Sequence, residues 1–292
     1  MGATWIEQLL EPERVELAAN SHAMAFGLAM LGACVGVVVL FLLIRRFGQA
    51  DSGLSRSEAV FAFPLGIAAF ILPAVFIIAL KQNQPTGDPL TSAAIQTMVA
   101  AVCIFALANH PWRPGDEQRG SWYRADARQL RWIPLVFLLA LPVMQLGMFA
   151  SVQLHEWLSA PVVQQGVVEQ LRASRSARGM TAWYLMAVVA APVMEEFVFR
   201  VALFGGTRRL LAGISDAQGW KHPGAWIALG FSVGVFVLAH GVWGWTVGII
   251  PLTMLSLILT FIYAHTRSIW PGMLYHAIHN AFVVTMQYFV LT

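Results

Sequence analysis

Charge is what this chain of 292 residues has least of. Only 11% of its residues are Asp, Glu, Lys or Arg, against roughly 25% in an average soluble domain. With 58% hydrophobic residues, a chain of this size cannot hide its apolar surface in one water-surrounded core. Lipid must cover the remainder. Cysteine is almost missing as well: Cys34 and Cys103 are alone, each in the middle of an apolar run. They are small side chains facing core or lipid, and they exclude a cysteine-built metal site. The formal net charge is only +3, so nothing points to nucleic acid. No internal repeat and no inverted symmetry relates the two halves, as it does in many transporters. The residues ahead of the first apolar run include Glu7, Glu11, Glu13 and Glu16, the wrong sign for the leading region of a secretory signal.

What the chain does have is length of apolar sequence. About 20 apolar residues cross the hydrocarbon layer as a helix. That ruler yields eight spans, at about 23–44, 59–80, 90–108, 132–152, 181–204, 225–243, 245–265 and 269–291. The expected fold is therefore all-α, a polytopic integral membrane protein of about eight transmembrane helices. Lys and Arg in the connections orient it. With the N-terminus outside, twelve basic residues fall on the inner side and five on the outer. Residues 1–180 are expected to hold four spans plus an amphipathic helix at 154–178 lying in the interface, where Val163, Val167, Val168 and Leu171 share one face. Residues 181–292 would form a four-helix core within the same membrane domain. The polar, Arg-rich stretch from His110 to Arg131 is a cytoplasmic loop lying against anionic lipid. Pairs of glycines four apart, at Gly32 and Gly36, Gly230 and Gly234, and Gly244 and Gly248, let helices approach closely, within the bundle or across a homo-oligomer face.

Two of the late spans break the apolar rule. The fifth carries Glu195, Glu196 and Arg200, at a depth where each carboxylate costs at least about 2.5 kcal/mol. Glu196 and Arg200 are four apart and pair on one helix face. Glu195, about 100° around the helix, is left without a partner in its own span. Burial strengthens a lone carboxylate's hold on a proton, the property a general base requires. The sixth span ends at Phe236-Val-Leu-Ala-His240. The last opens with Trp270-Pro271 and carries His276, His279 and Asn280. His276 and Asn280 share a face, and two such donors side by side can hold a carbonyl oxygen on which charge develops. On expected helix ends, Glu195 and His276 fall at similar depth. His240 fits only if its segment is short, tilted or re-entrant.

Glu-Glu-x-x-x-Arg, Phe-x-x-x-His and His-x-x-x-Asn, in that order on successive late helices, resemble the CPBP family. This group of CAAX-processing endopeptidases and bacteriocin-processing or immunity proteins is also called the type II CAAX prenyl endopeptidase family. The resemblance covers about residues 181–285 and includes the run Ser268-Ile-Trp-Pro-Gly before His276. It implies an eight-helix intramembrane protease that cuts a peptide bond of a membrane-associated or C-terminal peptide. Glu195 would activate the attacking water and His240 would position it or shuttle its proton. His276 and Asn280 would stabilise the oxyanion, and Glu196 with Arg200, beside Phe236, would hold the site together. The family's setting makes a bacterial cytoplasmic (inner) membrane the expected location.

Two alternatives stand beside this reading. Glu195, His240 and His276 together have the composition of a zinc site with an open position for water, although a metal-free glutamate mechanism is favoured and no cofactor is then needed. A transporter, immunity or scaffold protein would also carry Glu, His and Arg within the membrane. A relay strings such groups along the bilayer normal, whereas a catalytic site gathers them at one level.

Overall fold

The computed structural model describes residues 52–81, 89–110, 121–157, 177–240 and 248–291. Every regular element among them is helical. We number the long helices α1 (Arg56–Lys81), α2 (Pro89–Ala108), α3 (Ile133–Trp157), α4 (residues 177–210), α5 (Pro223–Ala239), α6 (Ile249–Thr266) and α7 (Ile269–Leu291). They correspond to the second to eighth expected spans. The first span, the interfacial helix beyond Trp157, Cys34 and the pair Gly32 and Gly36 lie outside the described residues.

Among the described residues, four stretches are long and apolar enough to cross a membrane: Arg56–Ile78, Leu90–Ala108, Ala127–Leu154 and Ile249–Thr266. Pro223–Ala239 is apolar but shorter. α4 and α7 carry the polar motifs, so they fall short of that criterion while packing inside the bundle. In lipid, helix is the form that satisfies backbone groups internally, and these apolar runs fold accordingly.

α4 is the hub, touched by α1, α2, α5, α6 and α7; α3 packs against α6 and α7. It is one helical run of changing pitch: Ala177–Tyr184 is α-helical, Leu185–Ala190 is π-helical, Ala191–Glu195 is α-helical, Glu196–Gly206 is π-helical and Thr207–Leu210 is α-helical again. Such wide turns are rare and concentrate at functional sites. The core surrounds this run: Phe197, Phe199, Phe204, Phe236, Leu259, Tyr263 and Tyr275 are all buried.

The starts of α1, α3, α5 and α7 and the ends of α2, α4 and α6 gather at one face of the bundle. Ser55 and Glu58 form a capping box there, Ser55 N donating to Glu58 Oε2 at 2.7 Å and Glu58 N to Ser55 Oγ at 3.2 Å. Trp122 Nε1 donates to Glu58 Oε1, Ile269 N to Trp122 O, Ser268 Oγ to Arg124 O and Tyr263 Oη to Ser52 O. Arg267 takes the left-handed conformation, φ 54°, to turn α6 into α7. Arg56, Arg124, Arg128, Arg131, Arg208, Arg209, Lys221 and Arg267 lie at this face, the charge pattern of a cytoplasmic side.

Small residues set close helix contacts, but Gly230 and Gly234 are not among them, and Gly244 lies outside the described residues. A Cβ on Gly230 or Gly234 would meet nothing within 4 Å, so this pair makes no contact within the bundle. The close approaches are at Gly66, where a Cβ would lie 2.5 Å from the Ala202 Cβ, and at Gly206 against Phe63. Both bring α1 onto the wide-pitched part of α4.

Candidate active site

Glu195 and Glu196 straddle the change of pitch in α4, Glu195 closing its α-helical turn and Glu196 opening the π-helical one. Three helices, α4 itself, α5 and α7, bring side chains to them. The α4 helix runs past its expected end at 204 to Leu210, while α5 is a short helix that His240 caps. Glu195 therefore lies deeper than the apolar run suggested, at the level of the far end of α5. That removes the depth mismatch expected for His240.

His240 Nε2 lies 3.8 Å from Glu195 Oε2. His276 Nε2 lies 3.8 Å from the same oxygen. Each ring is fixed from its other nitrogen. His240 Nδ1 is 2.7 Å from the Phe236 carbonyl, which can only accept, so Nδ1 carries the proton and Nε2 faces the carboxylate. His276 Nδ1 is 3.0 Å from Glu196 Oε1. One carboxylate thus orients an imidazole toward a second carboxylate. Glu195 Oε2 is buried and takes no hydrogen bond within the protein; at 3.8 Å the two nitrogens are beyond direct bonding and within bridging distance of water.

Exposure grades the site. The His240 side chain is 27% exposed and that of Glu195 13%, whereas His276, Glu196 and Arg200 are at 3%, 1% and 0%. The opening is on the side of His240. Behind it, Arg200 Nε pairs with Glu196 Oε2 at 3.4 Å, the pairing expected from their spacing. The Arg200 guanidinium also lies over the Phe236 ring, 4.9 Å from its centroid, and the Phe236 ring sits 4.4 Å from that of His240. Phe236 is a buried spacer between the cation and the imidazole.

Asn280 faces α4, as does His276, but its contact is with backbone: Nδ2 donates to Ala187 O at 2.7 Å. The reason lies in α4. Ala191 N–H reaches back to Met186 O in the wide register. The next carbonyl, that of Ala187, would take the N–H of residue 192, which is proline and has none. Asn280 supplies the missing donor with one amide hydrogen and keeps the other. His279 turns away, its ring parallel to Tyr275 at 6.5 Å between centroids.

Three contacts have no counterpart in the motifs. Arg200 Nη1 donates to Ser232 Oγ on α5 at 3.3 Å and to Ser256 Oγ on α6 at 3.1 Å. Gly272, one turn before His276, lies against Glu196: a Cβ there would stand 2.7 Å from Oε2. The Ser268–Gly272 run before His276 was visible in the sequence, but nothing marked which of its residues touches the site.

For zinc, the donors available are Glu195, His240 and His276. Among the described residues, no three His, Cys, Asp or Glu side chains are arranged to hold a metal ion.

Residues 177–282 match the family model described as type II CAAX prenyl endopeptidase Rce1-like. The match begins at the first residue of α4 and ends within α7. No curated protein and no solved structure matches the chain.

Proposed function

From the match of residues 177–282 to the Rce1-like type II CAAX prenyl endopeptidase model, we propose that this chain is an intramembrane endopeptidase in which Glu195 activates water. The observation that carries the proposal is the convergence of His240 and His276 on the one buried, unbonded oxygen of Glu195, each at 3.8 Å. The groups meet at one level from three helices, which favours a reaction centre over a relay strung along the bilayer normal.

In this reading a water held by Glu195 Oε2 lies within reach of both Nε2 atoms. Glu195 takes its proton as the water oxygen bonds to the peptide carbonyl carbon. The carbonyl oxygen then bears negative charge, and His276 with the free amide hydrogen of Asn280 stabilises it. His240, the most exposed member, positions the water. The proton on Glu195 passes to the departing amine nitrogen as the C–N bond breaks. No metal takes part. Glu196 holds His276, and Arg200 with Phe236 holds Glu196.

The eight-span topology, with residues 181–292 as the core, belongs to the same proposal. So does placement in a bacterial cytoplasmic membrane with the basic face toward the cytosol. The substrate class is a peptide whose scissile bond lies at or near the membrane, first a prenylated C-terminal peptide, as the family description implies. The experiment is purification, reconstitution into liposomes and incubation with farnesylated and unmodified C-terminal peptides, with and without a zinc chelator. Cleavage that survives chelation supports the reading; cleavage that chelation abolishes and zinc restores replaces it with the zinc mechanism.

A further inference from the structure

We infer that Ser256 on α6 and Ser232 on α5 are positioning residues for this site, acting on His276 through Arg200 and Glu196. The inference deepens the proposed function and rests on it only for the identity of the reacting groups.

α6 contributes nothing to the three motifs. Ser256 and Ser232 are both at 0% exposure, where a hydroxyl needs a partner. They meet on the same guanidinium nitrogen, Arg200 Nη1, at 3.1 and 3.3 Å. Ser232 does more: its hydroxyl donates to Phe199 O at 2.7 Å, so its lone pairs are turned to the arginine. The neighbouring backbone of α4 and the Arg200 side chain are thereby held by one residue of α5.

The chain of contacts then runs in one direction. Arg200 Nε faces Glu196 Oε2 at 3.4 Å, and the other oxygen of Glu196 faces His276 Nδ1 at 3.0 Å. The far nitrogen of His276 faces Glu195. A guanidinium is a planar fork, so fixing one of its nitrogens fixes the direction of the others. Were the two serines removed, Arg200 would keep its ion pair but lose its orientation. Glu196 would then be free to rotate off the His276 ring, and a shift of about 1 Å in a reacting group can cost on the order of 100-fold in rate. Apolar packing alone does not set that direction: rings lie over Arg200, while the hydroxyls bond Nη1 and Glu196 stands at ion-pair distance from Nε.

The test separates the hydroxyl from the volume. Ser256→Thr and Ser256→Val add the same bulk and differ only in the oxygen; Ser232→Thr and Ser232→Val repeat the comparison on α5, and Ser256→Ala checks for misfolding caused by bulk. The primary readout is the Nδ1 proton of His276 in protein labelled with ¹⁵N-histidine and purified in detergent, identified by its loss in His276→Gln. We expect a far-downfield resonance in the wild type and in both threonine variants, moved upfield in both valine variants and in Ser256→Ala. Cleavage of the farnesylated peptide should fall about 10-fold from threonine to valine at each position. Identical His276 resonances in the threonine and valine variants would overturn the inference. The spectrum is read without turnover, and Glu195→Gln should leave this resonance in place. Failure of the relay and failure of Glu195 as the base are therefore distinguishable.

Discussion

α1 and α4 lie side by side and are built on opposite plans. In the most apolar window of α1 only 22% of residues are buried within the protein; in the Glu196–Gly206 stretch of α4 every residue but Leu203 is buried. α1 is regular α-helix with its large side chains outward, Ile67, Phe70, Ile71, Val75 and Phe76 among them. α4 holds two wide-pitched stretches, Leu185–Ala190 and Glu196–Gly206, and carries two carboxylates and a guanidinium. In water the apolar helix would go inside. In lipid the apolar helix can face the solvent, and the helix with charge has to be surrounded by protein. The difference teaches where function sits: the least hydrophobic spans are the interior ones.

The comparison breaks first at Arg200. Replacing it by Met leaves Glu196 and Glu195 without their cation and should destabilise the protein by about 3–5 kcal/mol. Replacing lipid-facing Ile67 by Ala should cost less than about 0.5 kcal/mol. Thermal unfolding in detergent measures both, and equal effects would contradict the contrast. Next come the two histidines. His240→Ala and His276→Ala should each slow cleavage by about 100-fold or more. Only His276→Ala should also lower the unfolding temperature, because it strips Glu196 of its buried partner while His240 stands at the opening.

Glycines sharpen the contrast further. Gly272→Ala drives a methyl into the Glu196 carboxylate and should cost about 1–3 kcal/mol, the usual penalty of overpacking, with slower cleavage. Gly234→Ala, on the outward side of α5, should be neutral or slightly stabilising, by at most about 1 kcal/mol. A partial recovery tests the contact of Asn280. Asn280→Ala leaves Ala187 O without a donor, at about 1–3 kcal/mol. Pro192→Ala returns a backbone N–H to that carbonyl, so the double variant should recover part of the lost stability. Additive losses would refute the substitution of amide for backbone.

Much of this was legible in the sequence because the bilayer imposes a length. α1, α2, α6 and α7 lie within a few residues of the runs that foretold them, and Glu196 with Arg200 pair as their spacing requires. What escaped follows from the same physics. A wide helical turn leaves no trace in hydropathy, so α4 was taken to end at 204 and His240 to miss the level of Glu195. Ser232, Ser256 and Gly272 are residues that any packed membrane helix uses, and only the arrangement around Arg200 and Glu196 sets them apart. The glycine pair at 230 and 234 was expected to serve a contact within the bundle or across a homo-oligomer face; it makes none within the bundle, because spacing does not say which way a helix faces. Asn280 was placed on the correct side of its helix, but its carbonyl partner depended on Pro192, which lies inside the family match at 177–282 but outside the motif.

The most direct test of the account is Glu195→Gln. The substitution keeps the shape of the side chain and removes its capacity to take a proton. Reconstituted beside the wild type with the farnesylated peptide, the variant should insert, unfold at a similar temperature and show no cleavage. A correctly inserted Glu195→Gln protein that cleaves at the wild-type rate would contradict the central claim.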